Sequence, residues 1–186
     1  MTTTLASIQQ ACTAQCRIAS PLGRLLLART ARGLAGIWFD NQQHHPSTWL
    51  APVQPSDELL LRTQRQLARY FDGEAVAFDV PLDLHGTPFQ RSVWQALLRI
   101  GHGRTSSYGE IAAQVGKPSA TRAVGAAVGR NPVSIVVPCH RVLGAGGTLT
   151  GYAGGLERKV ALLHLESKPQ HLARPALTVQ AREAFA

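Results

Sequence analysis

The stretch SYGEIAAQVGKPSATRAVGAAV, residues 107–128, decides how the second half of the chain folds. Ser107-Tyr108-Gly109-Glu110 has the form of a capping box and predicts a short helix running to Val115, where Gly116 and Pro118 stop it. Ser119 is placed to cap a second helix, Ala120 to Val128. Two short helices joined by a glycine-containing turn make the pattern of a helix-turn-helix. The second helix is built from Ala120, Ala123, Gly125, Ala126 and Ala127, so only Thr121, Arg122 and the following Arg130 project from it. Small side chains suit either tight packing inside the domain or close approach to another surface, and Arg122 favours the second.

Working outward, Thr87 can cap a helix with Pro88 at its first position, and Gln90, Val93, Trp94, Leu97 and Leu98 follow a 3.6 period that puts Trp94 in the core. Beyond the helix-turn-helix, Ser134 to Val137 reads as a short buried strand, Gly144 to Gly147 as a glycine loop and Leu156 to Glu166 as an amphipathic helix. The first 84 residues have a different texture. Gln15 to Ala19 and Arg24 to Ala28 flank the turn Ser20-Pro21-Leu22-Gly23, which predicts a hairpin, and Leu34 to Phe39 is a third strand. A polar loop, Asn41 to Pro55, leads to a helix capped by Ser56 or Asp57 and carrying Leu59, Leu60, Leu67, Tyr70 and Phe71 at helical spacing. The expected organisation is an α/β domain over 1–84, a mainly helical domain over 85–168 and a polar tail over 169–186.

The chain of 186 residues is 45% hydrophobic, enough for a real core, and Lys and Arg exceed Asp and Glu by 19 to 11, a formal charge of +8. That charge suits a polyanionic partner such as nucleic acid, or a solvated basic surface, and names no sequence or reaction. Met1-Thr2-Thr3-Thr4-Leu5 carries no basic run ahead of an apolar segment, and no apolar stretch reaches the roughly 20 residues of a membrane span. The expectation is a soluble cytoplasmic protein with no membrane association. Three cysteines argue against a disulfide framework and leave at least one free thiol.

Pro138-Cys139-His140-Arg141 sets a thiol beside an imidazole, with glycine-rich chain following. A nucleophilic cysteine acts as thiolate, and since free cysteine titrates near 8.5, His140 and Arg141 are candidates for lowering that value. A Cys-His pair alone is more often a buried structural thiol than a nucleophile. The flanks decide: Asn131-Pro132-Val133 precedes it, Val142 follows, and Gly151-Tyr152-Ala153-Gly154-Gly155 opens the last helix. Together these resemble the O6-alkylguanine-DNA alkyltransferase family, strongly over residues 85–168 and more weakly through Ser20-Pro21-Leu22-Gly23 and Gly33-Leu34.

The resemblance implies a ribonuclease H-like N-terminal domain, and a C-terminal domain with a winged helix-turn-helix that enters the minor groove of double-stranded DNA containing O6-alkylguanine. By it, Cys139 is the alkyl acceptor, His140 ionises it through a bound water, Glu166 orients His140, and Asn131 braces the active-site turn. Tyr108, Val142, Tyr152, Ala153 and Gly154 would line the pocket for a flipped base, Val142 and Ala153 through main-chain groups; some relatives have a hydroxyl where Ala153 stands. Arg122 would fill the gap the base leaves, beside Ala120, Thr121, Ala123 and Gly125 at the DNA surface. Alkyl transfer to the protein's own sulfur is irreversible, so one molecule repairs one lesion without a cofactor. Some relatives carry zinc, but Thr30, Ala35 and Asp79 stand where Cys or His would be needed; Cys12 with Cys16, and His44 with His45, are weak signals, and no metal is expected. A monomer is expected, with cooperativity on DNA open. Two other readings stay in view: a cysteine hydrolase that regenerates its thiol, and a DNA-binding regulator that senses damage through Cys139.

Overall fold

The computed structural model describes residues 3–46 and 51–167; the expected tail lies outside them, as do residues 47–50 of the expected loop. Thr3–Ala11 forms helix α1, which the sequence reading did not anticipate. Strands β1 (Cys12–Ile18), β2 (Leu25–Thr30) and β3 (Leu34–Phe39) make an antiparallel sheet in that order. The β1–β2 turn closes where Gly23, at φ 108°, returns its N–H to the Ser20 carbonyl (3.1 Å). Helix α2 (Glu58–Phe71) starts at Asp57, whose carboxylate accepts from the Leu60 N–H at 3.1 Å, and it buries Leu60, Thr63, Leu67 and Tyr70.

The second domain is mainly helical. Helix α3 (Pro88–Leu97) begins with the Thr87/Gln90 capping box, and its buried Trp94 donates from Nε1 to the Ala127 carbonyl at 2.8 Å. After the two-residue strand β4 (Ser106–Ser107) come α4 (Tyr108–Gln114), capped by the expected Ser107/Glu110 box, and α5 (Thr121–Gly129). Ser119 does not cap α5: the N-cap is Ala120, which has no side-chain acceptor and whose N–H closes a turn on the Lys117 carbonyl. Val142–Leu143 (β5) pairs in parallel with β4, and α6 (Leu156–Ser167) ends the described chain.

The segment before Cys139 corrects the sequence reading. Ser134 to Val137 is a turn, not a strand. One register position pairs with the exposed edge of β3: Ile37 donates to the Pro132 carbonyl (2.9 Å) and accepts from the Ser134 N–H (3.0 Å). The chain then folds back, Val137 N–H bonding Val133 O at 3.0 Å, with Ile135 at φ 72°. A β-branched residue in the left-handed region is strained, and it persists because bonds on both sides fix the turn. A buried run of one serine and three apolar residues is compatible with strand or turn, and periodicity cannot separate them. The fold thus uses the N-terminal sheet edge to hold the approach to Cys139, and one contiguous apolar core joins Leu27, Ile37 and Phe39 to Trp94, Val124 and Leu162.

Candidate active site

Cys139 opens a single 3-10 turn, Cys139–Arg141, and is 5% exposed. The Asn131 side chain organises this turn: its amide donates to the Val137 carbonyl (2.8 Å) and to Cys139 Sγ (3.0 Å), while its Oδ1 accepts from Val133 N–H at 3.0 Å. Burial pushes the Cys139 thiol up to about 11, against the Asn131 donor, main-chain N–H groups and Lys159, which pull it down. The resting sulfur is therefore a neutral thiol, and any nucleophile must be generated by proton removal.

His140 is fully buried and donates from Nε2 to Glu166 Oε1 at 2.8 Å. A carboxylate only accepts, so Nε2 carries the hydrogen and Nδ1 keeps the lone pair. Nδ1 is buried without a hydrogen-bond partner among the described residues, which leaves it able to accept a proton. Burial lowers the His140 pKa, opposed by the bond to Glu166. Burial works to raise Glu166, but donors outweigh it and hold the carboxyl below its usual range. Those donors are His140, Arg141 through Nε (2.8 Å) and Nη2 (2.9 Å), Tyr70 through its hydroxyl (2.7 Å) and the Gly103 N–H (3.3 Å). Arg141 also reaches the Ile100 carbonyl at 2.5 Å. Of the two candidates for lowering the thiol pKa, Arg141 has its guanidinium bonded to Glu166 and the Ile100 carbonyl and makes no hydrogen bond to the sulfur.

Sequence reasoning missed Lys159 and Tyr70. Lys159 is fully buried on α6 and donates to the carbonyls of Val142 (2.6 Å) and Thr150 (2.9 Å). Burial lowers its pKa while Cys139 raises it. A lysine inside an otherwise amphipathic helix gave no periodic signal. Tyr70 was legible as core; the cue for more was that a buried phenol needs a hydrogen-bond partner.

The residues expected to line a base pocket lie on α4, on β5 and in the loop before α6. Tyr108, the first residue of α4, has its hydroxyl 3.2 Å from Thr150 Oγ1, which donates to it. Val142 is buried, and one lone pair of its carbonyl is taken by Lys159. The Ala153 carbonyl accepts from Gln43 N–H at 2.9 Å, tying this loop to the first domain. Gly154 is buried under Tyr152, and a Cβ there would fall 2.6 Å from the ring. On α5, Thr121, Arg122 and Ala123 are exposed, and Arg122 has no ion pair among the described residues. Ala120 is half-buried at the helix start, and Gly125 faces the Tyr108 ring, 3.8 Å from its would-be Cβ. Val124, Ala127 and Val128 pack inward, so tight packing and an exposed rim coexist on one helix.

Among the described residues no three His, Cys, Asp or Glu side chains are grouped to hold a metal. Thr30 instead donates to Asp83 at 2.7 Å, and Asp83 also binds Arg32 (2.7 Å) and His85 (3.0 Å). Cys12, Cys16 and Cys139 are all free thiols. No helix among the described residues is long and apolar enough to cross a membrane.

Two family models match the chain: "6-O-methylguanine DNA methyltransferase, ribonuclease-like domain" over residues 17–84 and "6-O-methylguanine DNA methyltransferase, DNA binding domain" over residues 88–168. A methylated-DNA–protein-cysteine methyltransferase of Mycobacterium leprae is 52% identical over 149 residues, 79% of this chain and 88% of that protein. One of the same name from Methanosarcina acetivorans is 49% identical over 150 residues, 79% of this chain and 94% of its own length. Among solved structures, Mycobacterium tuberculosis OGT in complex with DNA superposes with a TM-score of 0.75 at 48% identity, covering 83% of this chain and 93% of that one.

Proposed function

The chain belongs to the 6-O-methylguanine DNA methyltransferase family, and from that premise we propose that it repairs O6-alkylguanine, chiefly O6-methylguanine, in double-stranded DNA by moving the alkyl group onto its own Cys139. The observation that carries this reading is the buried line Asn131–Cys139 followed by His140–Glu166, set behind the α4–α5 helix pair. No hydrolase is required to explain that arrangement, and both domain matches point to DNA.

The lesion is reached by turning the nucleotide out of the duplex, which costs a few kcal/mol and less for a weakened pair. Arg122 fills the vacated stack from the exposed rim of α5, with Ala120, Thr121 and Ala123 against the backbone and Gly125 leaving room for Tyr108. The base enters between Tyr108, Tyr152, Val142 and the Ala153–Gly154 turn. Tyr108 receives a hydrogen bond from Thr150, so its own O–H is free to donate to the base. The Ala153 N–H reads the base edge.

The thiol proton passes through one bound water to His140 Nδ1, while Glu166 holds Nε2–H and stabilises the imidazolium. Sγ then attacks the alkyl carbon in line with the C–O6 bond. As the S–C bond forms, the C–O6 electron pair goes to guanine, which takes up a proton as it leaves. The thioether has no route back, so one molecule repairs one lesion, without metal or cofactor. We place the protein in the cytoplasm as a monomer, its domains divided near residue 85.

Intact-protein mass after mixing with duplex DNA carrying O6-methylguanine tests this. The expected result is a gain of about one methylene that saturates at one lesion per protein and is absent in Cys139→Ser. Unchanged mass in a folded protein that still binds DNA would sink the reading and favour a regulator; repeated turnover of a small ester by an unmodified thiol would favour a hydrolase.

A further inference from the structure

Glu166 is crowded with donors, and one comes from the other domain. Tyr70, on α2 of the N-terminal domain, directs its hydroxyl to Oε1, the same oxygen that accepts from His140 Nε2. The bond bridges 96 positions of sequence and is buried throughout. Nothing about it is accidental to the packing. The Tyr70 ring is fully buried and caged by Phe71 (centroids 5.6 Å), Phe78 (5.9 Å) and His102 (6.2 Å), so the phenol has one direction open to it.

We propose that Tyr70 is a positioning residue of the alkyl transfer, through which the N-terminal domain sets how tightly Glu166 holds the His140 proton. The inference rests on the function proposed above. Each hydrogen bond donated to a carboxylate drains the charge available to its other partners. In the resting state Glu166 Oε1 shares its lone pairs among His140, Arg141 and Tyr70. When His140 gains the thiol proton, it needs more of that charge, and a phenol on the same oxygen competes with it. Tyr70 therefore keeps His140 a weaker base than a lone His–Glu pair would be, and keeps it neutral at lower pH.

The charged and titratable groups around this relay are known. Arg141 lies on the 3-10 turn and Lys159 on α6, and both disfavour the imidazolium. Cys139 precedes His140, the Tyr152 phenol adds to the rise in the Tyr70 pKa, and His102 borders the Tyr70 ring. Of these, only Arg141 and Tyr70 share the carboxylate with His140. Burial and the Glu166 charge raise the Tyr70 pKa, so the phenol remains a donor across the working range.

The test is the single-turnover rate of methyl transfer, read by protein mass, against pH for wild type and Tyr70→Phe, with melting temperature and DNA affinity in parallel. Wild type should lose rate as His140 protonates, at a midpoint below the usual imidazole value of about 6.5. In Tyr70→Phe that midpoint should rise by about half to one pH unit, with DNA affinity unchanged. Should Tyr70→Phe fail to fold, 3,5-difluorotyrosine at position 70 preserves shape and donates more strongly, and the midpoint must then fall. An unchanged midpoint, or an equal loss of rate at every pH, overturns the proposal and makes Tyr70 a packing residue. No mass gain in wild type would instead overturn the function itself, a distinguishable result.

Discussion

Burial pushes the Cys139 thiol from near 9 up to about 11, which makes it a reporter of stability as well as a nucleophile. A group whose pKa is raised on folding favours the native state below its unfolded value and loses that contribution as pH rises through the folded one. Between about pH 9 and 11 the unfolded thiol ionises while the native one does not, so the wild type should lose on the order of 2 kcal/mol that Cys139→Ser retains. Urea denaturation of both proteins at pH 8 and at about pH 11 measures the difference directly; equal losses would mean that the sulfur is solvated. Asn131→Ala removes the donor to Sγ and leaves the Val137 carbonyl with the Cys139 N–H but without the amide. It should cost about 2 to 4 kcal/mol and slow alkyl transfer beyond what the stability loss explains. Glu166→Gln is the opposite kind of change, since it leaves Arg141 buried with no anion; a loss of about 3 to 5 kcal/mol is expected in the same denaturation series.

At the level of elements, α5 can be tested apart from the chemistry. Arg122 is exposed and without an ion pair among the described residues, while Val124, Ala127 and Val128 hold the helix to the core. Arg122→Ala should leave the melting temperature within about a degree or two but slow methyl transfer on duplex DNA much more than on a single-stranded oligonucleotide carrying the same lesion. A stack-filling side chain matters only where a stack must be opened. Equal slowing on both substrates would reduce Arg122 to a phosphate contact. Helices α2, α3 and α4 were legible because caps are local: Asp57, Thr87 and Ser107 each bond the residue three positions on. The roles expected of Cys139, His140, Asn131 and Glu166 came only through the family resemblance of their flanking strings, for the 26 positions that separate His140 from Glu166 carry no periodic link. The turn at Ser134–Val137 was not legible. Its shape depends on the Asn131 amide and the β3 edge, both tertiary partners invisible to a hydrophobic run. Lys159 and the polar role of Tyr70 escaped for the same reason, since each is defined by carbonyls or a carboxylate distant in sequence.

The molecule as a whole behaves as one structure because the site straddles two domains. Pro132 and Ser134 pair with Ile37 of the sheet, Ala153 accepts from Gln43, and Tyr70 meets Glu166. Arg158 of α6 is the bolt on the pocket side: it donates to the carbonyls of Leu22 (2.9 Å) and Gly154 (2.8 Å), and its guanidinium lies 4.7 Å from the Phe39 ring centre. A Met in its place preserves much of the aliphatic packing and removes the donors and the cation–π contact. Arg158→Met should therefore lower stability by about 2 to 3 kcal/mol while the protein still unfolds in a single transition, because the apolar core is continuous across both domains. Its rate of methyl transfer should fall several-fold with DNA affinity preserved, since the Gly154 turn loses its anchor but α5 does not. Calorimetry and single-turnover kinetics on the same preparation separate the possibilities. Two resolved transitions would show that the domains are joined mainly by Arg158 and its neighbours, and an unaltered rate would show that the Gly154 turn is held in place by Tyr152 and Gln43 without it.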